Sequence, residues 1–147
     1  MATYSPIEIM TSLTIFSCFL GKWMGFGGKV EPNESILEGA IREVKEECGL
    51  DLVPKDVKKL GVIDYEFDKI YIEGHIFEVQ NYSGEIVESE EMEPKWFEIE
   101  NMPYDKMWKA DEFWHPNFFR QQLFKAYFMY DHLGDVVMHY CYPVENL

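Results

Sequence analysis

Basic residues are scarce in this chain: 13 Lys and Arg stand against 27 Asp and Glu in 147 residues, a formal net charge of −14. That deficit argues against a nucleic-acid polymer as the main partner, because proteins that grip a phosphate backbone present basic surfaces. A free triphosphate would be repelled too, unless it arrived with a divalent cation. Cysteine is also sparse: Cys18, Cys48 and Cys141 are odd in number, widely spaced and without a CxxC or histidine pattern. Reduced thiols in a cytosolic protein are the plain reading. No hydrophobic run is long enough to span a membrane, and no basic residue precedes the apolar stretch at residues 13–20 as a signal peptide would require. Internal repeats and low-complexity linkers are absent. What remains, 47% hydrophobic and 16% aromatic residues, is the composition of a single globular domain with one sizeable core.

The informative stretch is residues 27–50, GGKVEPNESILEGAIREVKEECGL. Ile36, Leu37, Ala40, Ile41, Val44 and Cys48 fall within about 140° of one another at helical spacing, which predicts an amphipathic helix over residues 35–48. Asn33 or Ser35 can cap its start, and Gly49 suits the left-handed position that ends it. Glu43, Glu46 and Glu47 stand at i, i+3 and i+4 beside the apolar stripe. Like charges at that spacing repel by a few tenths of a kcal/mol per pair. Glu38 with Arg42 and Arg42 with Glu46 make good i,i+4 pairs, but Glu43 with Glu47 does not. Clustered carboxylates of this kind suit Mg²⁺ or Mn²⁺.

From Gly28 the spacing reads Gly, five residues, Glu34, seven residues, Arg42-Glu43-Val44, one residue, Glu46-Glu47, one residue, Gly49-Leu50. In this the chain resembles the Nudix hydrolases, with every fixed position of their signature filled. The resemblance implies an α+β fold of the Nudix type, an α/β/α sandwich on a mixed sheet. It implies that the helix holds divalent cations against a diphosphate whose phosphoanhydride water cleaves. Carried over residue by residue, the Gly27 carbonyl, Glu43, Glu46 and Glu47 are the expected metal ligands. Arg42 is expected to orient a glutamate, and Glu46 or Glu47 to take the proton of the attacking water.

The flanking segments supply the rest. Residues 7–20 are β-prone and support one strand, with a break near Thr11-Ser12. A glycine-rich loop, residues 21–28, surrounds Trp23 and Phe26 and lets backbone approach phosphates closely, so Met24, Phe26, Gly27, Gly28 and Lys29 are candidate substrate contacts. Residues 60–67 and 69–79 alternate as two antiparallel strands with a turn near Asp68, and residues 95–99 read as a short strand. Pro116 can open a helix over residues 117–126. Residues 127–130 and 136–142 read as a hairpin around 131–135.

WMGFGGKV, ESEEMEPKWF, DKMWKADEFWHP and the C-terminal hairpin are similar to the branch of this family that hydrolyses oxidised purine nucleoside triphosphates. That resemblance implies hydrolysis of 8-oxo-dGTP or 2-hydroxy-dATP to the monophosphate and diphosphate, which cleanses the nucleotide pool. It implies Glu91 as a further metal ligand from a loop, Trp108 and Asp111 in the base pocket, and a monomer whose partner is a small nucleotide. A cytoplasmic location is expected, with mitochondrial and nuclear pools left open. By its own chemistry Trp108 offers a flat face for stacking, worth about 1–3 kcal/mol. Asp111 can accept from a purine N1–H and amine, or donate if protonated. Two departures stand out: this chain has Ala110 before Asp111 where the branch has two adjacent aspartates, and Met24 where it has asparagine. The first 20 residues are also shorter than in that branch and divergent. Two alternatives follow: another nucleoside diphosphate derivative as substrate, or a catalytically weak nucleotide-binding form.

Overall fold

The computed structural model describes residues 3–4, 7–11, 14–19, 21–88 and 93–147, with backbone only before residue 20 and at Glu93. In chain order the strands are β1 (Thr3–Tyr4), β2 (Ile7–Thr11), β3 (Thr14–Phe19) and β4 (Lys22–Met24), followed by helix α1 (Ile36–Cys48). Then come β5 (Val57–Phe67), β6 (Ile70–Val79), β7 (Glu93–Phe97), helix α2 (Asp111–Phe119), β8 (Phe124–Tyr130) and β9 (Val136–Pro143).

β5 and β6 form a long antiparallel hairpin about Asp68, which takes φ 46° at the turn. β8 joins β5 in parallel, β9 joins β8 antiparallel, and β1 and β2 lie parallel to β6. The result is a mixed sheet in the order β1-β6-β5-β8-β9, with β2 also on β6. A second, antiparallel sheet runs β4-β3-β7. The single N-terminal strand expected from sequence is thus three strands. β2 ends at Thr11, where the break was expected, because β2 completes the large sheet and β3 starts the small one.

Successive residues of a strand point to opposite faces, and β6 is buried on both over residues 74–79. Phe77 and Val79 pack with Ala40, Val44 and Cys48 of α1. Ile76, Leu60, Ile63, Phe124 and Phe128 pack with Trp114 and Phe118 of α2. The two helices therefore cover opposite faces, which is the expected α/β/α sandwich. Gly61 sits at a register shift in β5, where a side chain would strike the Phe124 ring.

The second helix corrects the expectation of residues 117–126. It runs Asp111–Phe119 with Pro116 inside it, and residues from Phe124 onward are strand. Two facts explain this. Phe124, Ala126, Phe128 and Tyr130 are buried while the intervening residues are more open, a period of two. In α2, Trp114, His115 and Phe118 are buried, so packing holds a short helix despite the amide that proline lacks. Gln121, at φ 59°, turns the chain into β8. Among the described residues no helix is long and apolar enough to cross a membrane.

Candidate active site

α1 begins with a reciprocal capping box: Ser35 Oγ accepts from the Glu38 amide at 3.2 Å, and Glu38 accepts from the Ser35 amide at 2.7 Å. Gly49, at φ 79°, ends the helix, and its amide donates to the Lys45 carbonyl. Ser35 is therefore the cap, and the charged face is fixed at both ends.

On that face Arg42 is the hub. Its Nη1 donates to Glu43 Oε1 and to Glu46 Oε2, each at 2.9 Å. Nη2 and Nε donate to the two Glu34 oxygens at 2.7 and 3.1 Å, and Nη2 also reaches the Lys29 carbonyl at 3.1 Å. The guanidinium's pKa is raised further above its ordinary range, mostly by Glu34, whose own carboxyl is pulled down by Arg42 in turn. Arg42 thus binds carboxylates that would otherwise repel one another, and ties the helix to the loop that precedes it.

That loop comes within contact of the helix carboxylates. The Gly27 amide donates to Glu47 Oε2 at 2.9 Å, with Gly27 at φ 154°. A Cβ placed on Gly28 would lie no more than 2.6 Å from the Glu43 carboxylate oxygen Oε2. Glycine is needed there for close approach. Lys29 is exposed, and Phe26 is 1% exposed in the core beneath α1, so it supports the loop from below. Among the described residues no three His, Cys, Asp or Glu side chains converge as a ready chelate: Glu43 and Glu46 turn toward Arg42, and Glu47 toward Gly27. By donor type the set still fits a hard divalent cation, since it is all carboxylate oxygen beside a glycine-lined loop. Glu91 lies outside the described residues.

The second part of the site is a cavity of about 170 Å³ lined by Met24, Tyr65, Phe67, Ile72, Trp108, Asp111 and Tyr130. Strand register builds it. Tyr65 and Phe67 share one face of β5; Ile72 lies opposite Tyr65 on β6, and Tyr130 opposite Phe67 on β8. Phe67 and Tyr130 stack with centroids 4.5 Å apart. β4 adds Met24, and the segment entering α2 adds Trp108 and Asp111. Asp111 is 4% exposed in the first turn of α2 and accepts from Trp114 Nε1 at 3.1 Å. The helix amino end favours its negative charge. Trp108 is 40% exposed, so its ring is part wall and part rim.

The structure therefore brings Met24, Trp108 and Asp111 together in one cavity, and Gly27, Gly28, Arg42, Glu43, Glu46 and Glu47 together on another surface. β4 and its following loop join the two. Sequence reading missed Tyr65, Phe67, Ile72 and Tyr130; same-face spacing in β5 was the available signal. It also missed Glu34 as the main partner of Arg42, although Glu34 stands in the motif.

Residues 16–122 match the model of the NUDIX domain. The oxidized purine nucleoside triphosphate hydrolase of Danio rerio is 40% identical over 129 residues, covering 86% of this chain and 81% of that protein. The Mus musculus protein of the same name is 36% identical over 128 residues, with the same coverage. Among solved structures, the mutator MutT protein of Bacillus halodurans superposes with a TM-score of 0.79 at 20% identity, over 96% of this chain and 97% of that one, a likeness of fold. With the glutamate-bearing helix, the glycine loop against it and these matches in place, the chain belongs to the Nudix family.

Proposed function

We propose that this protein hydrolyses oxidised purine nucleoside triphosphates, such as 8-oxo-dGTP and 2-hydroxy-dATP, to the monophosphate and diphosphate. The observation that carries this reading is the aromatic cavity with one buried carboxylate, joined through β4 to the acidic face of α1. A flat base fits between Trp108 and the aromatics of β5 and β8, with Asp111 on its polar edge. Base stacking on an aromatic ring is worth about 1–3 kcal/mol. The relatives named for oxidised purine nucleotides support the same substrate class.

Glu43, Glu46, Glu47 and the Gly27 carbonyl would hold Mg²⁺ or Mn²⁺, joined by Glu91. Such an ion, when bound, supplies charge neutralisation for the phosphates and a more acidic water. The chain's own residues do the rest. Gly27 and Gly28 admit the phosphates close to α1 because no side chain intervenes. Arg42 holds Glu43 and Glu46 in place, a positioning role. Glu46 or Glu47 accepts the proton of the attacking water; Arg42 donates to the first and the Gly27 amide to the second, which helps to orient them. The cation also answers the electrostatic objection, since a chain of charge −14 meets a neutralised triphosphate. The activity resides in one domain acting as a monomer on small nucleotides, in the cytoplasmic pool.

A steady-state panel tests the substrate class: 8-oxo-dGTP, 2-hydroxy-dATP, dGTP, dATP and ADP-ribose with Mg²⁺. Preference for the oxidised purines, with diphosphate released, is expected. Faster cleavage of ADP-ribose than of any triphosphate would overturn the assignment.

A further inference from the structure

Trp108 and Asp111, which both line the cavity, leave the chain from the two ends of one tight turn. The Trp108 carbonyl accepts from the Asp111 amide at 3.0 Å, which places Lys109 and Ala110 at the corner. Met107 and Ala110 are buried and pin the turn to the core beneath α2. The Trp108 ring at the rim and the Lys109 side chain are much less enclosed.

Lys109 is tied to the strand that supplies Tyr130. Its Nζ pairs with Asp135 Oδ1, and that bond, with the Asp131 charge adding to it, raises the ammonium's pKa above its ordinary value. Asp135 ends the turn between β8 and β9, which begins directly after Tyr130. This second turn is well braced. Asp131 Oδ1 accepts from the Leu133 and Asp135 amides at 2.9 and 3.0 Å, and the Asp131 amide donates to the Asp135 carbonyl at 2.9 Å. Asp135 takes part in that bracing through its backbone, and its carboxylate reaches out to Lys109. One ion pair thus joins the turn that carries Trp108 and Asp111 to the end of the strand that carries Tyr130.

A rim aromatic is immobilised when a base stacks on it, and a restraint already present in the free protein lowers that cost. We infer that Lys109 is a positioning residue: paired with Asp135, it holds the Trp108–Asp111 turn in its base-binding place, although Lys109 itself stands outside the cavity lining. This rests on the reading of the cavity as the base pocket. The paired side chains are 63% and 50% exposed, and a pair so exposed sets the effect on nucleotide affinity at about two- to fivefold.

The test measures kcat and KM for 8-oxo-dGTP, and calorimetric affinity for 8-oxo-dGMP, in the wild type, Lys109→Met, Asp135→Asn, the double variant and Lys109→Arg. Trp108→Ala serves as the reference. Each of Lys109→Met and Asp135→Asn should raise KM and weaken 8-oxo-dGMP about two- to fivefold, with kcat and melting temperature near wild type. The double variant should be no weaker than either single, because both remove the same interaction. Lys109→Arg, which keeps the pair, should stay near wild type. Unchanged affinity in both single variants, or losses that add in the double variant, overturns the inference. So does a loss in Lys109→Met without one in Asp135→Asn, because Lys109 would then act on the nucleotide itself. If Trp108→Ala leaves KM and affinity unchanged, the base-pocket reading falls, and this inference with it.

Discussion

Replacing Gly28 by alanine isolates the geometry of the acidic face from the stability of the fold. The new Cβ would sit within 2.6 Å of Glu43 Oε2, well inside ordinary contact. Gly28 is not among the glycines of positive φ, so alanine meets no backbone penalty there. The Glu43 carboxylate must give way by roughly 1 Å, a misplacement that can cost on the order of 10²-fold in rate. Glu43 is held by Arg42 at 2.9 Å, so the same movement stretches that pair and loses about 1 kcal/mol. The lower entropy of the unfolded chain returns about 0.4–1 kcal/mol. Net stability should hence stay within about 1 kcal/mol, a melting shift of only a few degrees. Thermal unfolding and Mg²⁺-dependent diphosphate release, measured on the same preparation, separate the two effects. A Gly28→Ala protein within threefold of the wild-type rate would refute the claim that Glu43 must stand where it does.

Gly61→Ala should show the reverse pattern. Its Cβ would overlap the ring of Phe124, which is fully buried, so overpacking should cost about 1–3 kcal/mol in urea unfolding while the folded protein keeps near wild-type kcat. Acid should destabilise the protein through His115, whose burial lowers its pKa from 6.5 to about 3. The folded state then binds fewer protons than the unfolded one, so its contribution is complete above pH 6.5 and is lost as pH falls. Between pH 6.5 and 5.0 the loss is about 1.6 kcal/mol. Burial lowers His75 in the same direction, so His115→Phe should remove only the His115 share of that slope in urea titrations at the two pH values. An unchanged slope would show that His115 is not neutral in the fold.

The parts of the fold readable from sequence were the local ones. α1 is specified within its own span by the Ser35–Glu38 box, the apolar stripe and Gly49, so its bounds were recovered almost to the residue. The β5–β6 turn at Asp68 was readable for the same reason. α2 was misplaced because Pro116 is a good helix opener in isolation, and only the packing of Trp114 and His115 moves the helix upstream of it. The N-terminal strands were merged because no glycine or proline separates β2 from β3; their division reflects which sheet each joins. The cavity was half legible. Trp108 and Asp111 lie near each other in sequence, whereas Tyr65, Ile72 and Tyr130 meet only through the registers of β5 with β6 and β8. Glu91 falls outside the described residues, so its expected place as a ligand stays with the proposal.

The central claim is that the carboxylates of α1 work on a nucleotide's phosphates, and Glu47→Gln tests it most directly. Glutamine keeps an oxygen for the Gly27 amide and removes the charge, so the melting temperature should stay within a few degrees of wild type. Diphosphate release from 8-oxo-dGTP across a Mg²⁺ titration should fall by at least about 10²-fold, the lower end of what a general base or a metal ligand contributes. A folded Glu47→Gln protein that releases diphosphate at the wild-type rate would contradict the account.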